Sequence, residues 1–327
     1  MPLTIGLCGL GSAALRAHLP ALTRAEEGGA TRVVAVTDPD PARRERVLER
    51  CPEAGGYEDV IALLDRGRPD LLVIASPPST HLAAVRAAFE RGIDVLCEKP
   101  LGVAHGDAEA LAELRRDHPS TLLAPVHQYR HAPAWDTIAA TAMDALAAGE
   151  PVSLRVEVER PGTDPLSAGG WRAAGLREGG ILGDHAVHYL ALCWTLDRSP
   201  QLLSAHLEGE NGHETASVEL TLGDRGRSSI WVSYAGARRR NLVELDLPAR
   251  GRTLRWLDGE LTHVETGGRE TSEETPALSD RQAVNDLYGA MYDDLLVRAG
   301  DPTWRRDRGD ETVTVAALLD AALEMVR

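Results

Sequence analysis

The stretch Gly92–Gly102 reads GIDVLCEKPLG and contains Lys99. The chain has 35 lysines and arginines together, and Lys99 is the only lysine among them. Arginine keeps its proton in a protein, whereas a lysine amine can be tuned to titrate near neutrality. A composition that avoids lysine explains a lone survivor but not its place between a glutamate and a proline. A second set lies downstream in GGILGDHAVHYL. There Asp184 and His188 are four residues apart, on one face of a helix. Oxidising an alcohol removes a hydride from carbon and a proton from oxygen, so a cofactor must take the hydride and the protein must manage the proton. Imidazole suits the proton, a lysine ammonium can steady the oxygen that loses it, and a carboxylate can hold the hydroxyl or support the histidine. Taken singly, His188 reads as a buried, satisfied histidine and Asp184 as a helix cap. Their spacing together with Glu98-Lys99-Pro100 favours chemistry.

A hydride acceptor has its own signature in GLCGLGSAALRAHLPAL. Gly9, Gly11 and Ala14 fit G-x-G-x-x-G/A at a strand-to-helix turn. The first glycine permits the tight turn, the second lets a pyrophosphate approach the backbone, and the small third residue lets helix and strand pack. Leu10, Ser12 and Ala13 complete the turn that would hold the phosphates. Asp38, ending the next strand in VVAVTDPD, suits the adenosine ribose and repels a 2′-phosphate, so NAD is favoured over NADP. Arg43 and Arg44 follow closely and keep NADP open. As a turn former before Pro39, Asp38 also has a plain structural reading.

Short apolar runs position these groups. Leu3–Cys8, Val33–Thr37, Leu71–Ala75, Ile93–Cys97 and Leu122–Val126 alternate with helical patterns near Ala13–Leu22, Pro41–Glu49, Asp59–Arg66, His81–Glu90 and Asp107–Arg116. This order predicts an α/β Rossmann domain, a doubly wound parallel sheet, over residues 1–124. After about residue 150 the pattern becomes period-two, in Val152–Arg160, Ala216–Leu222, Ser228–Tyr234 and Leu242–Leu247. Residues 125–327 are therefore expected to form an α+β domain for substrate binding and oligomerisation. Its largely antiparallel sheet would be covered on one face by helices at Ala134–Ala148, Leu182–Leu196 and Glu311–Arg327. Glu265–Thr275 reads as a mobile loop.

A length of 327 residues accommodates two domains, and the net charge of −15 disfavours a nucleic-acid partner. No apolar run approaches the roughly 18–20 residues of a membrane span, and the first ten residues carry no basic n-region. A cytoplasmic protein is expected. Cys8, Cys51, Cys97 and Cys193 form no CxxC and read as packing residues. His185 beside Asp184 and His188 does not make a metal site, because adjacent helix positions point apart; no metal is expected.

ASPPSTHLAAVRAAFERGIDVLCEKPLGV, with its Ser76-Pro77-Pro78 turn, His81 and E-K-P, resembles the Gfo/Idh/MocA oxidoreductases, the family of glucose–fructose oxidoreductase and inositol dehydrogenase. WRAAGLREGGILGDHAVHYL resembles that family's W-R…G-G-x-L-x-D-x-G-x-H, with Trp171, Arg172, Gly179, Gly180, Asp184 and His188 in place. VHQYRHAPAW, with Arg130 and Pro133, resembles its segment entering the second domain. The resemblance spans nearly the whole chain. It implies a lysine beside the nicotinamide, an E-K-P proline that is often cis, and a sugar, cyclitol or sugar derivative as substrate. Carried over, Lys99, Asp184 and His188 are catalytic. Ser76, Pro77, His81, Glu98, Lys99 and Gln128 join the glycine turn and Asp38 in holding the cofactor. Lys99, Arg130, Trp171, Arg172, Asp184, His185 and His188 meet substrate. Ala186 replaces the usual glycine, and His185 directly follows the acid, which bears on substrate recognition. The same family contains NAD-dependent glycosidases that oxidise transiently and non-catalytic sugar sensors, both alternatives here. Members often pair as dimers or tetramers through the outer face of the second sheet, so a homo-oligomer is expected.

Overall fold

A computed structural model describes residues 1–162, 170–209 and 213–327. By contact the chain divides into two units. One comprises Met1–Val126 with Tyr288–Ala316, the other His127–Leu287 with Ala317–Arg327.

The first unit is built on a six-stranded sheet of β1 (Leu3–Cys8), β2 (Thr31–Thr37), β3 (Gly55–Tyr57), β4 (Leu71–Ile74), β5 (Asp94–Cys97) and β6 (Leu123–Pro125). The order is β3-β2-β1-β4-β5-β6 and every pairing is parallel. Parallel strands need crossovers, and here they are α1 (Leu19–Glu27), α2 (Pro41–Leu48), the short α3 (Val60–Ala62), α4 (His81–Phe89) and α5 (Asp107–Asp117). A π-helical turn, Ala14–His18, leads into α1. The runs are apolar at nearly every position because both faces of the sheet are covered. One face packs Ile5, Leu7 and Leu22 in one core cluster, the other Leu72, Val85 and Phe89 in a second.

The second unit contains α6 (Pro133–Ala147), β7 (Val152–Pro161), α7 (Val187–Leu196) and seven further strands: β8 (Gln201–Glu208), β9 (Thr215–Leu222), β10 (Gly226–Gly236), β11 (Arg240–Leu247), β12 (Arg252–Leu257), β13 (Glu260–Glu265) and β14 (Glu270–Glu274). The sheet order is β14-β13-β12-β11-β7-β10-β9-β8, antiparallel except where β7 lies beside β10. The period-two pattern of β7 buries Val152, Leu154, Val156 and Val158 on the face packed against α6. Its opposite face carries charge. Arg155 reaches Glu157 and Glu244, both at 2.7 Å, and Arg255 also meets Glu244 at 2.7 Å.

Three differences from the sequence expectation have physical causes. Residues 270–274 are strand β14, paired with β13 through a turn in which Gly267 and Gly268 take φ of 108° and 88°. Its side chains are all exposed and polar, so no alternation marks it. The C-terminal helical segment begins earlier than Glu311, as α8 (Arg281–Arg298) and α9 (Pro302–Val326). Part of it also belongs with the first unit instead of the second. Tyr288, Met291, Tyr292, Leu295 and Trp304 join the core cluster of β1, and Arg305 forks onto Asp94 with bonds of 2.6 and 2.8 Å. That face of the parallel sheet needs apolar cover, and the returning segment adds to what Ala17, Leu19 and Leu22 supply from the first helix.

Trp304 is 4% exposed inside that cluster. Trp304→Ala should therefore cost about 3–5 kcal/mol of unfolding free energy, the range for large-to-small changes in a packed core. Urea melts of the two proteins check this, and a loss typical of a surface site would put the returning segment outside the core.

Candidate active site

In the first unit the site begins with backbone. Gly9 has φ of +88°, and a Cβ there would stand 2.4 Å from the Ser76 backbone nitrogen. Only glycine fits that approach. A Cβ on Gly11 would meet no atom within 4 Å, so the turn is open at its second glycine, where a pyrophosphate needs room. Ala14, the third small position, is fully buried. Ser12 is exposed and Ala13 partly so, at the start of the helical turn. The turn is tied to the next strand end. Asp38 is buried, and its carboxylate accepts from the Leu10 N–H at 2.8 Å and the Asp40 N–H at 2.9 Å. Each oxygen keeps a further lone pair for a ribose hydroxyl. Arg44 donates to the carbonyl oxygen of Asp38 at 2.6 Å, and Arg43 lies 3.7 Å from the Asp38 carboxylate. The residues present thus fit a dinucleotide.

Beyond β4 and β5 the picture sharpens. His81 is fully buried, and its ring nitrogens lie 2.8 Å from the carbonyl oxygens of Ser76 and Pro100. It braces the two strand ends from inside, whereas the sequence expectation gave it to the cofactor. The Lys99–Pro100 peptide is cis. Lys99 is partly exposed, and Glu98 before it is buried at 7%. The Glu98 carboxylate turns inward. It accepts from Tyr288 at 2.7 Å and from the Lys99 backbone N–H at 3.2 Å, and lies 3.1 Å from His18 Nε2. Burial pushes this carboxyl up, but His18, Lys99 and Tyr288 outweigh it and hold Glu98 below its ordinary value.

The second unit carries the other set. A π-helical turn at Leu182–Ala186 places Asp184 and runs into α7 with His188. Ala186 has φ of −61°, so the missing glycine costs nothing there. Asp184, 3% exposed, is gripped by Arg172 through a bidentate pair at 2.6 and 2.8 Å and accepts from Tyr234 at 2.8 Å. Burial pushes the Tyr234 hydroxyl up, with the Asp184 charge adding to it, so it remains a donor. His185 lies 3.6 Å from the same carboxylate. Trp171 packs its ring under the Arg172 guanidinium at 4.3 Å. His188 is buried, and the Tyr129 ring stacks on its imidazole with centroids 4.2 Å apart and planes 18° apart. Gln128 is buried, its side-chain oxygen unmet by any described residue, and Arg130 is partly exposed near Asp136.

Several of these partners had no sequence signal. Tyr234, Tyr288 and Tyr292 lie outside the quoted motifs, and Tyr129 falls within VHQYRHAPAW without being singled out. His18 falls in the first-turn motif, one turn after Ala14 on the buried face, which was its only sign. Arg160 ends the alternating run on its buried face. It is fully buried and donates to the carbonyl oxygens of Glu159 and Arg240 at 2.7 and 3.2 Å. Arg240 meets Glu157 at 3.0 Å and Glu159 at 3.4 Å.

Comparison with known proteins fits this geometry. A profile described as "Oxidoreductase family, NAD-binding Rossmann fold" matches residues 3–124, and the GFO/IDH/MocA C-terminal domain matches residues 138–248. The chain belongs to the Gfo/Idh/MocA oxidoreductase family. It is 33% identical to dTDP-3,4-didehydro-2,6-dideoxy-alpha-D-glucose 3-reductase of Saccharopolyspora spinosa, over 98% of this chain and 96% of that one. It is 34% identical to inositol 2-dehydrogenase 1 of Saccharopolyspora erythraea, over 46% of this chain and 44% of that one. Among solved structures it is similar in fold to KijD10, a 3-ketoreductase from Actinomadura kijaniata in complex with NADP and TDP-benzene. The TM-score is 0.78 at 22% identity, over 100% of this chain and 98% of that one. This Gfo/Idh/MocA chain is therefore an NAD(P)-dependent oxidoreductase acting on a hydroxyl or keto carbon. Among its described residues no helix is long and apolar enough to cross a membrane.

The depressed Glu98 makes stability depend on pH in a known direction. A carboxyl lowered on folding stabilises fully above its ordinary value of 4.5, and that stabilisation is lost as pH falls through the folded value. Glu98→Gln has no such group. The gap in unfolding free energy between wild type and Glu98→Gln should therefore narrow on going from about pH 6 to about pH 3. Urea melts across that range check it, and a constant gap would mean that Glu98 titrates alike in both states.

Proposed function

We propose that this oxidoreductase transfers hydride between NAD and a hydroxyl or keto carbon of a sugar, cyclitol or sugar derivative. A 3-keto, nucleotide-linked deoxysugar is the first candidate, by analogy with the relative matched over its full length. The observation that carries the reading is Lys99. The only lysine of the chain ends β5 above a buried carboxylate, in the same sheet whose β1 leads into the open glycine turn. NAD is preferred because the Asp38 carboxylate is buried at the ribose end, and Arg44 is committed to the carbonyl oxygens of Asp38 and Pro39.

When bound, the nicotinamide takes or returns the hydride. The rest falls to the chain. Gly9, Leu10, Gly11, Ser12 and Ala13 present backbone to the pyrophosphate, with Ser76 and Pro77 beside them. Lys99 donates to the substrate oxygen and steadies alkoxide charge. His188 exchanges the proton, its ring plane fixed by the stacked Tyr129. Asp184 is oriented by Arg172 and Tyr234, which leaves it to accept from a substrate hydroxyl. Arg130, Trp171, Arg172 and His185 shape recognition, and Gln128 contacts the cofactor. Residues 1–124, completed by the returning segment Tyr288–Ala316, form the cofactor domain, and the second unit binds substrate. The polar ladder of Arg155, Glu244 and Arg255 is the face through which a cytoplasmic homo-oligomer would pair.

Lys99→Arg keeps the charge but not the compact, three-donor geometry. It should bind NADH as wild type does and lose about 100-fold or more in kcat on whichever substrate a panel of sugars, cyclitols and dTDP-linked keto sugars reveals. Wild-type turnover in that variant would remove Lys99 from the chemistry. The same panel separates the alternatives: net NADH consumption or formation marks a reductase or dehydrogenase, whereas leaving-group release without net cofactor change marks a glycosidase.

For His188→Ala, the pH dependence of kcat near neutrality should disappear along with most of the rate. A pH profile unchanged in shape would move the proton to another group.

A further inference from the structure

Glu98 stands next to the lysine assigned to the substrate oxygen, and its surroundings are unusual for a packing residue. Oε1 meets the Tyr288 hydroxyl at 2.7 Å and His18 Nε2 at 3.1 Å, while Oε2 takes the Lys99 backbone N–H at 3.2 Å. His18 is fully buried and carries the network on, with Nδ1 2.8 Å from the Tyr292 hydroxyl. Tyr288 and Tyr292 also meet the imidazole edge-on, with ring centroids 5.0 and 5.9 Å away. Three separate segments thus converge: the helical turn after the glycines, the end of β5 and helix α8. A carboxylate only accepts, so His18 Nε2 carries a proton in either charge state of the ring. Nδ1 then accepts from Tyr292 in the neutral ring or donates to it in the charged one, and a tyrosine hydroxyl can serve both.

A buried carboxylate–histidine pair is a poor way to gain stability, since well-packed apolar residues of similar volume generally do as well or better. Its place is the informative part. The pair adjoins Lys99 through the hydrogen bond from the Lys99 N–H, at the end of a strand whose other residues from Val95 to Cys97 are buried and apolar.

We propose that Glu98 and His18 are positioning residues that form a fixed counter-charge behind the Lys99 ammonium, locked from helix α8 by Tyr288 and Tyr292. The inference rests on the reading that Lys99 faces nicotinamide and substrate. Glu98 supplies a negative charge one residue from the ammonium, and its hydrogen bond to the Lys99 N–H fixes where that backbone starts. His18 and Tyr288 keep the carboxylate in one rotamer. The titratable groups around the pair are Lys99, Tyr288, Tyr292, Cys97 and Cys8. Burial pushes Tyr292, Cys97 and Cys8 up, Cys8 to about 12, so Tyr292 and the two thiols remain neutral beside it.

The single lysine makes a direct test feasible, because protein labelled with ¹⁵N at lysine Nζ gives one side-chain signal. The full chain saturated with NADH is used. Glu98→Gln keeps shape and removes charge, and should lower the pH midpoint of that signal, because a nearby negative charge favours the ammonium. Tyr292→Phe, the gentler change, should move the signal by a smaller amount in the folded, NADH-binding protein. A folded Glu98→Gln protein with the wild-type midpoint overturns the proposal. If Glu98→Gln does not fold, an unmoved signal in Tyr292→Phe overturns it instead. The underlying reading has its own arm: adding NADH to wild type must shift the Nζ signal. No shift there removes Lys99 from the nicotinamide, while the two variants still report on the counter-charge.

Discussion

A carboxylate taken out of water must be met by donors on nearly every lone pair, and that demand organises the first unit around Glu98. Its three donors come from places 80 residues upstream, one residue downstream and 190 residues downstream in the chain. None of these contacts is local in sequence apart from the Lys99 N–H. Meeting them requires the glycine-turn helix, the end of β5 and the returning C-terminal segment to be in place together. The hydrogen bonds of one buried acid therefore explain why the segment from Tyr288 to Ala316 belongs with the Rossmann sheet. The apolar cover from Met291, Leu295 and Trp304 supplies the area, and Tyr288 supplies the register.

The second unit repeats the principle with a different donor set. Asp184 is also a buried carboxylate, and it too is met from segments distant in the chain. Arg172 arrives from the helical segment before it and Tyr234 from strand β10. Bidentate pairing to arginine fixes both oxygens in a plane, a stronger orientational constraint than a lysine would impose. Both acids thus sit one or a few residues from a group assigned to chemistry, Lys99 in one unit and His188 in the other. The chain uses buried, hydrogen-bonded carboxylates to fix the backbone from which a working side chain projects.

Much of this could be read from the sequence, and what could not has a common cause. Strands β1, β2, β4, β5 and β7 were legible because their periodicity follows from burial on two faces or one. The glycine turn was legible because a positive φ at Gly9 and the close approach of Ser76 admit no side chain. Lys99, Asp184 and His188 stood out through composition and spacing. The tyrosines did not. A buried hydroxyl that satisfies a distant acid has no local pattern, since its partner is set by tertiary packing alone. The partners of Arg160 escaped for the same reason: alternation predicts which face a residue takes, but it does not say whether a charge on that face finds carbonyl oxygens. Strand β14 escaped because an exposed polar edge strand carries no alternation to detect.

His81 and Glu98 illustrate the limit most clearly. Both sit in motifs that point to the cofactor, and both turn inward. His81 spans the carbonyl oxygens of Ser76 and Pro100, and Glu98 gathers His18 and Tyr288. Two residues flanking Lys99 in space thus hold its turn from below, one through backbone carbonyls and one through a carboxylate. A side chain that must meet a reacting oxygen within a few tenths of an ångström gains most when its own backbone cannot drift. The lone lysine therefore stands on a base that neither glutamate nor histidine could provide from the solvent side. A motif's residue types can be kept by selection for the support they give as much as for what they touch.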